Sequence, residues 1–148
     1  MEIKFKPIGV IHSPFKSMED ISRERHLKPE GFSSVRGTLE IFPEFEEGLR
    51  DIDGYSHLIV IFSFHLAERS SLVAHPPHDG KERGIFATRS PHRPNPIGLT
   101  ILRLIKRRGR ILEVLGIDAL EGSPILDIKP YTPRDIKPEA EFGWLEKT

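Results

Sequence analysis

The sequence predicts a mainly β, single-domain antiparallel β-barrel with short helices, and not a doubly wound nucleotide fold. Apolar runs of strand length follow one another without the helices of about 10 to 15 residues that βαβ units need. His57 to Phe64, HLIVIFSF, is continuous and rich in β-branched residues, the pattern of a strand buried on both faces. Ile97 to Lys106 and Ile111 to Ile117 are two more such runs, and Gly109 in the RRGR between them marks the tight turn of an antiparallel hairpin. All 148 residues are assigned to one domain, a length that buries roughly two-thirds of the surface its unfolded chain would expose.

In chain order, Lys4 to His12 reads as a strand that Pro7 confines to an edge or bends. Ser13 to Ser34 is polar, holds Pro14, Pro29 and Gly31, and reads as an irregular surface excursion long enough to be functional. Arg36 to Phe42 alternates as a strand. Pro43 then opens a short helix, PEFEEGLRDI, with its acids early, where the helix dipole favours them. ILDIKPY is a short strand closed by Pro130. The remainder, with Pro133 and Pro138, is expected to be extended with at most one helical turn.

Composition narrows the chemistry. With no cysteine there is no disulfide framework, no thiolate catalysis and no thiolate-bound zinc or iron-sulfur cluster. Lys plus Arg equals Asp plus Glu, 22 each, so binding to nucleic acid must come from a local patch. Arg103, Lys106, Arg107, Arg108 and Arg110 form such a patch, or else a solvated hairpin tip; Arg83, Arg89 and Arg93 form a second group. No apolar run approaches the ~20 residues of a membrane span, and the N-terminus lacks a signal-peptide core, so a cytoplasmic location is expected. Gln is absent and Asn95 is the single Asn, the depletion of thermolabile amides expected of a heat-adapted organism.

No glycine-rich phosphate loop and no nucleophile elbow is present. His75, His78 and Asp79 in HPPHD, with His65 and His92, could ligate a metal. The two prolines hold that segment extended, so it reads as an ordered polar loop, and no metal is expected. Phe86 to Leu99, FATRSPHRPNPIGL, is different in kind. Pro91, Pro94 and Pro96 fix three φ angles and bias Ser90, Arg93 and Asn95 toward extended backbone, so the loop is ordered before any ligand arrives. Arg89 and Arg93 present planar forks for a carboxylate or phosphate, while Asn95 and Thr88 offer neutral hydrogen-bonding groups. Gly98 permits a close backbone approach or an unusual turn. A second cluster, LGIDALEGSPILDIKPY, places Asp118, Glu121 and Asp127 at strand ends around the turn Gly122, Ser123, Pro124.

FATRSPHRPNPIG, with IGVIHSPF before it, GYSHLIVIFSFH between and LDIKPY after, spans roughly residues 8 to 131 in an order that resembles the TsaA-like, or TrmO-type, family. The resemblance implies an S-adenosylmethionine-dependent methyltransferase acting on N6 of threonylcarbamoyladenosine at position 37 of tRNA. It further implies a barrel that binds its cofactor outside any Rossmann sheet, and a homodimer. Family cofactor contacts map onto His65, Leu66, Arg89, Leu99, Asp118, Ala119, Leu120 and Glu121. A family Pro-Arg-Gln triplet stands here as Ser22, Arg23, Glu24, so only Arg23 carries over, and Asp-Gly-Thr-Pro stands as Glu121, Gly122, Ser123, Pro124.

On this reading Arg89 takes the cofactor carboxylate and Leu66 and Leu99 sandwich its adenine. Asp127, Lys129 and Tyr131 are candidates for the base or carbonyl-polarising group that a poorly nucleophilic N6 needs. Arg93 or Lys129 grips the threonyl carboxylate with Asn95 nearby, and Arg107, Arg108 and Arg110 hold tRNA phosphates. The competing readings are a non-catalytic module that binds S-adenosylmethionine and regulates a partner, and a barrel that binds RNA with no small molecule.

Overall fold

The computed structural model describes residues 1–27, 31–77 and 79–147. Strands β1 (Gly9–His12), β2 (Arg36–Ile41), β3 (His57–Ser63), β6 (Ile97–Arg108), β7 (Ile111–Leu115) and β8 (Ser123–Pro130) close into an antiparallel barrel in the order β1-β2-β7-β6-β3-β8. Between β3 and β6 lie the two-residue strands β4 (Val73–Ala74) and β5 (Arg83–Gly84), paired with each other outside the barrel. Closure rests on β1, whose Gly9 is opposite Ile41 of β2 on one side and Ile125 of β8 on the other.

Strand alternation fills the interior. Leu58, Val60 and Phe62 of β3, Leu102 of β6, Leu112 of β7 and Ile125 of β8 point inward and are at most 4% exposed. Each such side chain contributes on the order of 1.5–3 kcal/mol relative to its exposed state. A six-stranded barrel packed this way has no room for a ligand within, so any site lies at its ends or outside.

The antiparallel registers bring the ends of β1, β3 and β7 and the starts of β2, β6 and β8 to one end of the barrel. The connections 13–35, 64–96 and 116–122 all leave from that end. The opposite end carries 42–56, the β6–β7 turn at Gly109 (φ 61°) and the exit of β8.

The predicted hairpin forms, with β6 running on to Arg108, and the strand before Phe42 ends at Ile41. Several expectations change. The first strand starts at Gly9 rather than Lys4. β3 is buried on its inward face only, and its outward residues Ile59 and Ile61 are partly exposed. The helix after Pro43 is two 3-10 pieces, Pro43–Leu49 and Ile52–Gly54, separated at Asp51, which adopts the left-handed conformation (φ 70°). Within the excursion stands a ten-residue helix, α1 (Met18–Leu27).

A signal for α1 was present: Ser17 and Asp20 form a reciprocal cap. The Asp20 N–H donates to Ser17 Oγ at 3.3 Å and the Ser17 N–H to Asp20 Oδ2 at 3.2 Å. The sparse apolar content of MEDISRERHL hides the helical period. The C-terminal segment holds two 3-10 turns, Pro133–Asp135 and Gly143–Lys147, rather than one. Among the described residues no helix is long and apolar enough to cross a membrane.

Gly98 serves a close approach: a Cβ there would stand 2.5 Å from Phe62 Cζ and 2.8 Å from Phe64 Cζ. These rings form an edge-to-face pair with centroids 5.2 Å apart, so neither yields without disturbing the other. Gly98→Ala is therefore expected to destabilise the fold by about 1–3 kcal/mol, read as a lowered urea midpoint with unchanged slope; an unchanged midpoint would contradict this packing.

Candidate functional site

The three connections at the same barrel end enclose a cavity of about 440 Å³. One wall is α1. Helical spacing puts Met18, Ile21 and Arg25 on one face, and all three line the cavity. Arg23 points away and pairs with Asp20 at 3.5 Å. Of the α1 arginines it is Arg25, two residues on, that lines the cavity, a placement invisible until the segment is known to be helical.

The second wall is the proline loop. Thr88 Oγ donates to the Ile85 carbonyl at 2.9 Å, and Arg93 Nη1 donates to the carbonyls of Thr88 (2.9 Å) and Ser90 (3.2 Å). Arg93 lines the cavity but spends one end of its fork pinning the loop. Among the described residues no hydrogen bond engages Arg89, which is exposed and reaches the same cavity. Leu66, 56% exposed, and Leu99, 45% exposed, add apolar surface with Phe64 and Ile97.

The third wall is the turn before β8, through Asp118, Ala119 and Leu120. Asp118 lines the cavity and remains exposed to solvent there. Desolvation by the cavity walls raises its carboxyl above the usual value, against a hydrogen bond from Thr100 and the charges of Arg25 and Arg89, which pull it down. An apolar cavity lined by a carboxylate and two guanidinium groups suits a ligand that carries both signs of charge and an apolar body.

Residues 10–135 match the model of the tRNA-methyltransferase O N-terminal domain, which covers most of the chain. The chain belongs to this family. A probable S-adenosyl-L-methionine-binding protein of Pyrococcus abyssi is 46% identical over 146 residues, 98% of this chain and 77% of that protein. The human tRNA (adenine(37)-N6)-methyltransferase is 36% identical over 93% of this chain but only 33% of its own length. A crystal structure of TrmO from Pseudomonas aeruginosa superposes with a TM-score of 0.77 at 39% identity, covering 97% of this chain and 63% of that one. The chain thus spans a little under two-thirds of the solved family structure.

Of the cofactor residues expected from the TrmO-type resemblance, the structure brings His65, Leu66, Arg89, Leu99, Asp118, Ala119 and Leu120 to one cavity. Glu121 is not among them. Its carboxylate accepts from the Ser13 N–H at 2.9 Å and from His12 Nδ1 at 3.0 Å, while His12 Nε2 reaches Glu40 at 2.8 Å, so Glu121 ties the turn to the end of β1. Asn95 is exposed and outside the lining. Asp127, Lys129 and Tyr131 are also outside it. Asp127 pairs with Lys129 at 2.8 Å and borders a different cavity, between β8 and residues 44–55, and Tyr131 lies against the His57 ring.

Arg107, Arg108 and Arg110 sit at the far end of β6, roughly 30 Å from Leu99 along an unbent strand. Arg107 donates to the carbonyls of Gly109 and Leu49, Arg110 to that of Ile41, and Arg108 pairs with Glu113 at 3.5 Å. Residues missed in the sequence are Met18, Ile21 and Arg25, hidden with the helix, and Thr100, whose inward position only the barrel register reveals. Among the described residues no group of three or more His, Asp or Glu is placed to hold a metal ion; His78 lies outside the described residues.

The His12 link carries a pH signature. Hydrogen bonds to Glu40 and Glu121 raise the His12 pKa above 6.5; Glu121 is lowered from 4.5, the hydrogen bonds from His12 and Ser13 outweighing its burial. The His12 contribution is full below 6.5 and lost as pH rises through its raised folded value; that of Glu121 is present above 4.5 and lost as pH falls. His12→Asn should therefore lower the melting temperature most between pH 4.5 and 6.5 and least once the pH has passed the raised His12 value. A penalty that grows with pH would contradict this arrangement.

Proposed function

We propose that the chain is an S-adenosylmethionine-dependent tRNA methyltransferase whose cofactor occupies the cavity between Arg89 and Asp118. The carrying observation is that these opposite charges share one apolar cavity at the loop-bearing end of a barrel whose interior is filled. Arg89, with Arg25 beside it, meets the cofactor carboxylate; Leu66 and Leu99 cover the adenine; Asp118 faces the cationic part. Bound there, S-adenosylmethionine would supply an electrophilic methyl group. The protein's task is then alignment, for which positioning supplies on the order of 7 to 11 kcal/mol of the barrier.

The acceptor on this reading is N6 of threonylcarbamoyladenosine at position 37. Transfer would form an N6–carbon bond as the carbon–sulfur bond breaks with its electron pair left on sulfur, and a carboxylate beside N6 would attract the charge arising there and take the N6 proton. Asp118 suits this role better than Asp127, Lys129 or Tyr131, because it faces the cavity and its carboxyl is more basic than usual. Arg93 keeps donors for the threonyl carboxylate, and Asn95 lies on the loop that borders its approach. Arg108 is the hairpin cation best able to meet a phosphate, since Arg107 and Arg110 also brace the turn.

The barrel carries an outward apolar stripe on neighbouring strands: Ile59 and Ile61 of β3 beside Ile101 and Leu99 of β6, with Ile101 47% and Ile105 43% exposed. A second copy covers this stripe on our reading, and because Leu99 belongs to both, the copy borders the cofactor cavity. Ile101→Glu should then halve the mass seen by sedimentation equilibrium; a wild-type chain that sediments as a monomer removes the homodimer.

The regulatory reading is favoured by archaeal relatives named only as S-adenosyl-L-methionine-binding proteins. Incubation with labelled S-adenosylmethionine and tRNA with or without the threonylcarbamoyl group separates the two. Label entering only the threonylcarbamoylated tRNA is expected. Label indifferent to that group discards the acceptor, and binding without transfer favours regulation. Arg89→Ala should weaken cofactor binding by at least about 2 kcal/mol, roughly thirtyfold; near-normal affinity by calorimetry would refute the carboxylate role.

A further inference from the structure

The loop wall that carries Arg89 stands outside the barrel core. Ile85 is 1% exposed, yet it is not part of the cluster of buried residues that fills the barrel. This wall is tied down from the other end of the chain. After β8 the chain leaves the far end of the barrel and brings Trp144, in the turn Gly143–Lys147, back to the cavity end. Its indole Nε1 donates to the Ala87 carbonyl at 2.8 Å, across 57 residues of sequence. The Arg83 guanidinium lies over the same ring, 4.7 Å from its centroid, and pairs with Asp79 at 2.6 Å.

Ala87 is two residues before Arg89. Thr88 between them is bonded back to Ile85, and Arg93 is bonded to the Thr88 carbonyl, so residues 85–93 are cross-linked from within. A pull on the Ala87 carbonyl is therefore passed to Arg89 rather than absorbed. The family match ends at residue 135, so this tie comes from the segment beyond it.

We propose that Trp144 is a positioning residue: the C-terminal segment latches the proline loop through the Ala87 carbonyl and so sets where the Arg89 fork meets the ligand's carboxylate. This rests on the reading of the cavity as the S-adenosylmethionine site. Trp144→Phe in the full chain keeps a ring for Arg83 and removes the indole N–H. It should weaken S-adenosylmethionine binding three- to tenfold, on the order of one hydrogen bond. KM for the cofactor should rise by the same factor with kcat near wild type, and hydrogen exchange should quicken at residues 85–93 but not in the barrel strands. A merely structural role would reduce the active fraction, lowering kcat and leaving KM in place.

Trp144 is the single tryptophan of the chain, so its indole N–H gives one resolved signal in the wild-type protein. Coupling between latch and site is reciprocal, and saturating S-adenosylmethionine should slow exchange of that proton severalfold. Unchanged affinity with unchanged exchange at 85–93 in Trp144→Phe would overturn the latch, as would an indole proton indifferent to bound cofactor. If the wild-type chain binds no S-adenosylmethionine, the cavity reading falls, and exchange at 85–93 in the variant still decides whether Trp144 holds the loop.

Discussion

The barrel is closed through β1, a strand of four residues hydrogen-bonded on both sides, and its bore is filled by the inward side chains of six strands. Everything else depends on that closure. A filled bore cannot hold a ligand, and an antiparallel barrel of this order sends alternate connections to opposite ends, the two longest, 13–35 and 64–96, leaving from the same one. Recognition is thus left to three loop walls whose relative positions the strand registers fix. The same geometry sends the basic β6–β7 turn to the opposite end, where two of its arginines serve the fold before they can serve a partner.

Within the cavity, order and electrostatics are divided among neighbouring residues. The prolines reduce the entropy of the loop, Arg93 and Thr88 bond it to itself, and Arg89 is left to project. Across the cavity, desolvation of Asp118 by the neighbouring walls leaves a carboxylate whose charge is incompletely stabilised, and a cationic ligand would complete it. Glu121, three residues on, does the opposite work: its charge is satisfied by His12 and the Ser13 amide, and it holds the turn that presents Asp118.

The fold class was legible because strand-length apolar runs and the Gly109 turn are local signals, and the barrel strands lie close to where those runs placed them. The cavity was legible in part. The proline loop and the Asp118 turn declare themselves through unusual backbone chemistry, whereas α1 is a polar helix revealed chiefly by the Ser17–Asp20 cap, and with it Arg25 was missed. Asp127, Lys129 and Tyr131 illustrate the opposite limit. They share a conspicuous motif with the site, but β8 carries successive residues away from the loop-bearing end, and their placement follows from register rather than from sequence proximity.

The central claim is that the ligand sits at the loop-bearing end of the barrel and not in the second cavity beside β8. Intermolecular nuclear Overhauser effects from S-adenosylmethionine to the methyl groups of this chain test it most directly. The account predicts contacts to Leu66, Leu99 and Ile21, and none to Ile8, Ile52 or Ile128. Contacts confined to Ile8, Ile52 and Ile128 would place the ligand against Asp127 and contradict the account at its root.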